Sequence, residues 1–472
     1  MGLSKVNYKG FIWPVLVGVI IWLCTPVRPV GISVVAWHLL ALFIATIVGC
    51  ITQPLPIAGV ALIGFTLTVL LGIAPMKEAV VAFGNSTPWT IAMAYLIARG
   101  FIKTGLGNRV ALLFVRYFGK KSIGLGYALM GIDLVTAPAT PSNTARASGI
   151  VLPIIDALSN TFHSSPKDGT ERKMGSYLLF TEFHVNIITS AMFMTAMAPN
   201  IVAVGLAKEL GVNITWISWF LAALLPGVIL LALIPWIIYK MYPPEIKKTP
   251  DARQLADSQL AEMGPMKLSE KLMLVIFAIA IVLWMISSFI GMDAMTVAFI
   301  AVALMLLTGI LTTKDVLNET GAWNVVLWFS ILIFLAGELN KLGIIPWFSK
   351  TVSHSLSGMN WFVIMIALVL IYFYSHYLFA SGTAQVTAMF SGFLGVAISA
   401  GVPPFLAAML LSLTAATYSS TTHYANGPAS ALFSTGYVKQ SDWWRMNFIL
   451  GLLYLVVFIG IGTVWMKVIG LW

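Results

Sequence analysis

The ten residues 140–149 read TPSNTARASG, and six of them are Ser, Asn, Thr or Arg in the middle of an otherwise apolar run, residues 122–160. A helix needs about 20 apolar residues to cross about 30 Å of hydrocarbon. Each half of the run is shorter than that. Backbone that leaves helical geometry at membrane depth must be buried in protein or line a wet cavity. The run therefore reads as a re-entrant hairpin, with residues 140–149 at its tip.

The chain around it has 472 residues, 59% of them hydrophobic and 9% charged, against roughly 25% charged in an ordinary soluble domain. The fold class this implies is an all-α polytopic membrane protein. Apolar spans are expected near 10–25, 31–50, 55–75, 87–103, 175–207, 215–240, 271–291, 294–312, 323–340, 405–436 and 447–470. A basic loop separates the fourth from the hairpin at 122–160. A second interrupted run, 360–400, is broken at FASGTAQ. The reading is thus about 11 spans plus two re-entrant hairpins. Residues 242–271, YPPEIKKTPDARQLADSQLAEMGPMKLSEK, carry proline pairs and mixed charge that forbid a span. They form a linker expected on the cytoplasmic face.

The formal charge is +10, yet Lys and Arg do not cluster into a basic face with interleaved aromatics, so no nucleic-acid partner is implied. With the N-terminus inside, 18 of them fall on the cytoplasmic side and 6 outside. That is the positive-inside bias of a protein whose partner is the lipid bilayer. The opening MGLSKVNYKG lacks a small-residue cleavage site and reads as the flank of an uncleaved first span, with Lys5 and Lys9 inside and Gly2 a weak myristoylation match. Cys24 and Cys50 sit within or beside spans as small packing residues, leaving no disulfide framework and no metal site.

The two interrupted runs repeat. PSNTA and ASGTA place Ser142 opposite Ser381 and Thr144 opposite Thr383, an offset of 239. FIKTGLG and LNKLGII place Lys103 opposite Lys341 and Gly105 opposite Gly343, an offset of 238. His184 and His423 each lie 42 residues beyond the tip serine of their half. By the charge assignment the first hairpin enters from inside and the second from outside. An inverted repeat of this kind is characteristic of secondary transporters.

Two tips entering from opposite faces meet near the midplane and present hydroxyls and free amide N–H groups, a setting that suits a carboxylate. Residues 181–202 and 417–438 each begin as a helix rich in small or hydroxyl residues and reach a breaking point, at Met197 to Asn200 and at Asn426 to Pro428. They read as discontinuous spans that complete the site. His184 and His423 are candidates for a cationic field beside a dianion. Arg146 follows the first tip, where the second has Gln385; snorkelling to the cytoplasmic water is favoured over contact with substrate. Arg99 and Glu338 lie inside spans as candidate partners of one another or of backbone, Asp133 has no assigned role, and His376 and Glu182 read as interfacial. No GxSxG, HExxH, Walker glycine loop or CxxC is present, and the intramembrane acids show no acid/base pairing. The chain therefore reads as a transporter that needs no cofactor.

SNTA at 142–145, TSAMFMTAMAPN at 189–200, PPEIKKTPDA at 243–252, MGPMKLSEK at 263–271 and THYANGPASALFSTGYV at 422–438 together resemble the divalent anion:sodium symporter family. Within it the chain is most similar to the dicarboxylate exchangers, such as bacterial citrate/succinate and tartrate/succinate antiporters and the plastid 2-oxoglutarate/malate translocator. The resemblance covers essentially the whole chain. It implies a homodimer in which a scaffold domain (1–121 and 272–358) carries a mobile transport domain (122–241 and 359–472), joined by the linker 242–271 and moving as an elevator. Carried over by position, it implies carboxylate contacts at Ser142, Asn143 and Thr144, at Ser381 and Thr383, at Ala198, Pro199 and Asn200, and at Asn426, Gly427 and Pro428. The family's second tip is commonly Ser-Asn-Thr; here the middle position is Gly382. Together with His184 and His423 in the helical stretches that surround sodium in symporters, this points to sodium-independent exchange of di- or tricarboxylates across the cell membrane, with sodium-coupled symport as the alternative.

Overall fold

The computed structural model describes residues 7–287, 289–355 and 358–472; Gly2 and Lys5 lie outside them. Among the described residues the regular elements are helices, and β-pairing is limited to one bridge between Lys121 and Lys248. The expected all-α class is the one found. Eight helices among the described residues are long and apolar enough to cross a membrane, including Val34–Thr52, Trp216–Met241 and Thr320–Lys341, with shorter apolar helices such as Ile57–Leu70 and Ala294–Leu307. Their outward faces carry large apolar side chains, including Val228, Trp236, Leu274, Val282 and Val464. Apolar residues on the outside are what hydrocarbon requires and water would not.

The chain divides into two compact units, one of Met1–Ala92, Ile201–Ile214 and Thr320–Leu411, the other of Met93–Asn200, Thr215–Glu319 and Ser412–Trp472. In the first, helix Thr320–Lys341 packs on Ile57–Leu70, and Ile344–Ser355 packs on Gly382–Ser399. The second is organised around helix Gly175–Met192, all 18 of whose residues are buried. Helix Trp216–Met241 and the first limb of the first hairpin, Ser122–Thr136, pack against it. A helix that is apolar or small nearly all round belongs in such a position.

The repeat is visible in the backbone. Gly105 follows helix Ser86–Thr104 at φ +78°, and Gly343 follows helix Thr320–Lys341 at φ +85°. Both are left-handed terminators, which glycine adopts without a Cβ penalty. Each is followed by a helix, Leu106–Phe118 and Ile344–Ser355. The first of these replaces the basic loop expected before the hairpin. Its charges, Arg109 and Arg116, hid an apolar face of Leu106, Ala111, Leu112 and Val115 that is buried.

The linker is likewise more ordered than its composition implies. Helix Pro250–Met263 forms within it and lies along Leu106–Phe118. Arg109 holds Glu270 with two hydrogen bonds, Nε to Oε1 at 2.6 Å and Nη2 to Oε2 at 3.2 Å, and donates a third to the Gly264 carbonyl. The bidentate fork fixes direction as well as distance.

Candidate functional site

Both tips are built the same way. In the first, the limb Ser122–Thr136 ends in a tight turn at Ala137–Ala139, and the chain passes Thr140 in extended geometry. Pro138 and Pro141 cannot continue a helical ladder. Ser142 then caps the second limb, its Oγ accepting from the Ala145 N–H at 3.1 Å. In the second, helix Trp361–Tyr374 ends in a short turn at Ser375–Leu378, and Ser381 caps Gly382–Ser399 by accepting from the Ala384 N–H at 3.3 Å. In each tip the serine satisfies one of the N–H groups that a helix start leaves without an intrahelical partner. Ser142, Asn143 and Thr144, like Ser381 and Thr383, are half-buried.

Behind the first tip stands Arg146, fully buried and not snorkelling as expected. It lies in the π-helical turn Ala145–Val151 that opens the second limb. All five of its N–H bonds have acceptors. Nε donates to Asp133 Oδ1 at 2.7 Å, Nη1 to the carbonyls of Thr140 and Ala196 at 3.0 Å each, and Nη2 to Thr189 Oγ1 at 3.3 Å and Ser190 Oγ at 2.9 Å. One side chain thus joins the first limb, the tip, the buried helix Gly175–Met192 and the turn beyond it. Asp133 also accepts from Asn186 Nδ2 at 3.3 Å and from the Thr189 hydroxyl. Asn186, Thr189 and Ser190 were legible as one helix face with Glu182, at intervals of four and seven or eight residues, yet none was singled out.

The first broken span turns at Phe193 and Met197, both extended, around a short helical turn Met194–Ala196. Asn200 Nδ2 donates to the carbonyls of Ser190 at 2.6 Å and Phe193 at 3.0 Å, satisfying acceptors that the break releases. Thr195 donates to the Pro138 carbonyl at 2.9 Å, tying the break to the tip. Pro199 is half-buried beside it. The second broken span leaves its helix at Tyr418–Ser420 and restarts at Gly427–Phe433, where Asn426 Oδ1 accepts from the Ala429 N–H at 2.9 Å. Pro428 occupies the first turn, where its missing N–H costs nothing. Gly427 is exposed and touches the first tip so closely that a Cβ there would lie 2.1 Å from Thr144 Oγ1.

The structure therefore brings together Ser142, Asn143, Thr144, Asn200, Asn426, Gly427 and Pro428 in one unit, while Ser381, Gly382 and Thr383 belong to the other. The two histidines differ from each other despite their equal spacing. His184 is mid-helix and fully buried, its Nδ1 2.7 Å from the Tyr454 hydroxyl and its ring against Phe180 and Phe183. His423 lies in the break itself, half-buried, with Nδ1 accepting from Trp444 Nε1 at 3.1 Å.

Glu182 and His376, read as interfacial, are both fully buried. Glu182 lies within the buried helix Gly175–Met192 and His376 in the short turn Ser375–Leu378 that follows helix Trp361–Tyr374, so a place near the end of an apolar run leaves neither side chain exposed. His376 Nδ1 pairs with Gln385 Oε1, whose Nε2 donates to the Tyr372 carbonyl at 2.7 Å and to Ser375 Oγ at 2.9 Å. Glu338 has Lys341 as a partner at 3.3 Å, and Arg99 is exposed. Among the described residues no group of three or more His, Cys, Asp or Glu could hold a metal ion.

Comparison with known proteins agrees with this architecture. The family model described as the sodium:sulfate symporter transmembrane region matches residues 5–472. YflS of Bacillus subtilis is 48% identical over 470 residues, 99% of this chain and 98% of that protein. The chloroplastic dicarboxylate transporter 1 of Spinacia oleracea is 45% identical over 99% of this chain and 82% of its own length. The L-tartrate/succinate antiporter of Shigella boydii is 36% identical, over 93% of this chain and 94% of that protein. Among solved structures, the YdaH transporter of Alcanivorax borkumensis shares the fold, with a TM-score of 0.61 at 12% identity over 97% of this chain and 98% of that one.

Proposed function

We propose, from the chain's membership of the sodium:sulfate symporter transmembrane-region family, that this multi-pass transporter exchanges one di- or tricarboxylate for another without sodium. The observation that carries the reading is the convergence of three helix breaks in one unit, at 142–144, 193–200 and 421–428, edged by hydroxyls, amides and capped helix starts. Such groups donate to carboxylate oxygens without the desolvation cost of a buried fixed cation. The one guanidinium beside them has no N–H to spare. Names of relatives, a dicarboxylate transporter and an L-tartrate/succinate antiporter, support the same substrate class.

In this reading Ser142, Asn143 and Thr144 hold a substrate carboxylate with Pro199, Asn200, Asn426, Gly427 and Pro428 completing the pocket. Ser381, Gly382 and Thr383 form a second carboxylate-binding tip. Glycine at 382 removes an amide side chain from that tip, and His184 and His423 stand where small residues would leave room for sodium. The transport domain moves as an elevator within a homodimer in the plasma membrane, its N-terminus cytoplasmic, and loading permits the movement.

Proteoliposomes test the proposal. Vesicles loaded with succinate are expected to take up labelled dicarboxylate with or without sodium, and empty vesicles are not. Sodium-dependent uptake into empty vesicles would establish symport instead, the activity that the family's description names. Replacing His184 and His423 together by Gln is expected to alter exchange and its pH profile; unchanged transport removes their electrostatic role.

A further inference from the structure

Glu182 is the one acid of the buried cluster that the site does not use. It sits mid-way along helix Gly175–Met192 and is fully buried. Neither carboxyl oxygen receives a hydrogen bond from an N–H or O–H donor of its surroundings. One turn and two turns further along the same helix face, Asn186 and Thr189 hydrogen-bond Asp133, so the Glu182 carboxyl stands on the side of the helix that faces that second carboxyl.

The charged groups facing it are Asp133, from the first limb, and Arg146, from the π-helical turn of the second. Helix Trp216–Met241 turns Tyr239 toward Tyr177 instead, and His184, on the same helix as Glu182, is turned to Tyr454. The cluster thus holds two acids and one guanidinium. That guanidinium is already paired with Asp133 and has no free N–H. An ionised Glu182 would be an unpaired buried charge pressed against a second carboxylate, which a protein interior does not sustain. A proton between the two carboxyls removes both difficulties, since the acid O–H then donates to Asp133.

We propose that the Glu182–Asp133 pair is a proton-binding site, occupied in this conformation, with the proton on Glu182 and the hydrogen bond accepted by Asp133. The bound proton leaves Asp133 with the single negative charge that Arg146 matches. When it departs to solvent, a second negative charge competes for Arg146, and the staple that joins the hairpin's limbs to the buried helix loosens. Protonation therefore acts on the positioning of the first tip.

This goes beyond exchange and does not rest on it, because one arm of the test needs no transported substrate. Infrared spectra of the full chain in lipid are expected to show a protonated carboxyl C=O stretch at neutral pH that is missing in E182Q, whose amide can still donate to Asp133. In succinate-loaded vesicles, wild-type exchange is expected to fall by about tenfold between about pH 7 and about pH 9.5, equal inside and out, while E182Q stays within about twofold. Succinate is fully ionised over that range, so the change is the protein's own. Identical spectra and identical profiles for the two proteins overturn the proposal. Should E182Q fail to insert, the wild-type spectrum decides alone: a band that disappears on alkaline titration supports the site, and no band at neutral pH overturns it. Absent uptake with the band present would count against exchange only.

Discussion

The two hairpin tips share a cap and differ in what stands behind it. Four residues after the capping serine the first tip has Arg146 and the second Gln385, and both reach back to their own first limb. Arg146 does so with an ion pair to Asp133 and four further hydrogen bonds, all buried. Gln385 does so with neutral bonds to Tyr372, Ser375 and His376. The repeat has thus kept a mechanical job, tying a tip to its limb, while changing its chemistry. An ionic tie is rigid and expensive to break, because either partner left alone is an uncompensated buried charge. A neutral tie yields at lower cost.

That difference is open to direct attack. R146A strands Asp133 and is expected to cost about 3–5 kcal/mol, read as loss of folded protein and a lower melting temperature in detergent. Q385A, the matching change, is expected to cost about 1–3 kcal/mol. Equal losses would mean that the two ties are equivalent. R146Q combined with D133N removes both charges and should recover much of what R146A loses; no recovery would show that the extra hydrogen bonds, rather than the ion pair, hold the tip.

Next in size is the contact between the first tip and the second break. G427A would put a methyl group 2.1 Å from Thr144 Oγ1 and is expected to reduce transport by about tenfold or more through misplacement of the tip. Adding T144S, which keeps the hydroxyl and drops the methyl, should restore little, and T144A should relieve the clash more fully. If G427A alone transports normally, the tip and the break do not act together. Smallest are the caps. S142A and S381A are each expected to cost about 0.5–2 kcal/mol in stability; a large transport loss in one alone would sharpen which tip meets substrate first.

Much of this was legible before any coordinates. Pro138, Pro141 and the hydroxyl cluster 140–149 announced the first break, and the matched offsets at Ser142 and Ser381 announced the second. Gly105 and Gly343 confirmed the repeat down to their left-handed backbone. Spacing failed where helices end. Equal counts from the two serines put His184 inside a helix and His423 inside a break, because the turn of Gly175–Met192 comes later in its half than the turn at Tyr418–Ser420 does in the other. Arg146 was misread for a different reason. Snorkelling is the usual fate of a cation near a span's end, and only the fold reveals that five acceptors from four segments converge on it. The same convergence explains Glu182: hydropathy registers how many polar residues a helix has, not that Glu182 shares one face with Asn186 and Thr189, which bond Asp133, and with Ser190, which bonds Arg146.

The complete use of Arg146 has a kinetic meaning. A carrier must release what it binds, and a fixed cation facing a dianion in a dry pocket would lengthen the bound lifetime out of proportion to any gain in selectivity. With the guanidinium's charge turned inward and matched by Asp133, the tip, in the carboxylate-binding role proposed for it, would meet its cargo with dipoles alone. The grip is then shallow enough for water to replace it, and residence time, rather than affinity, becomes the quantity this hairpin is built to keep short.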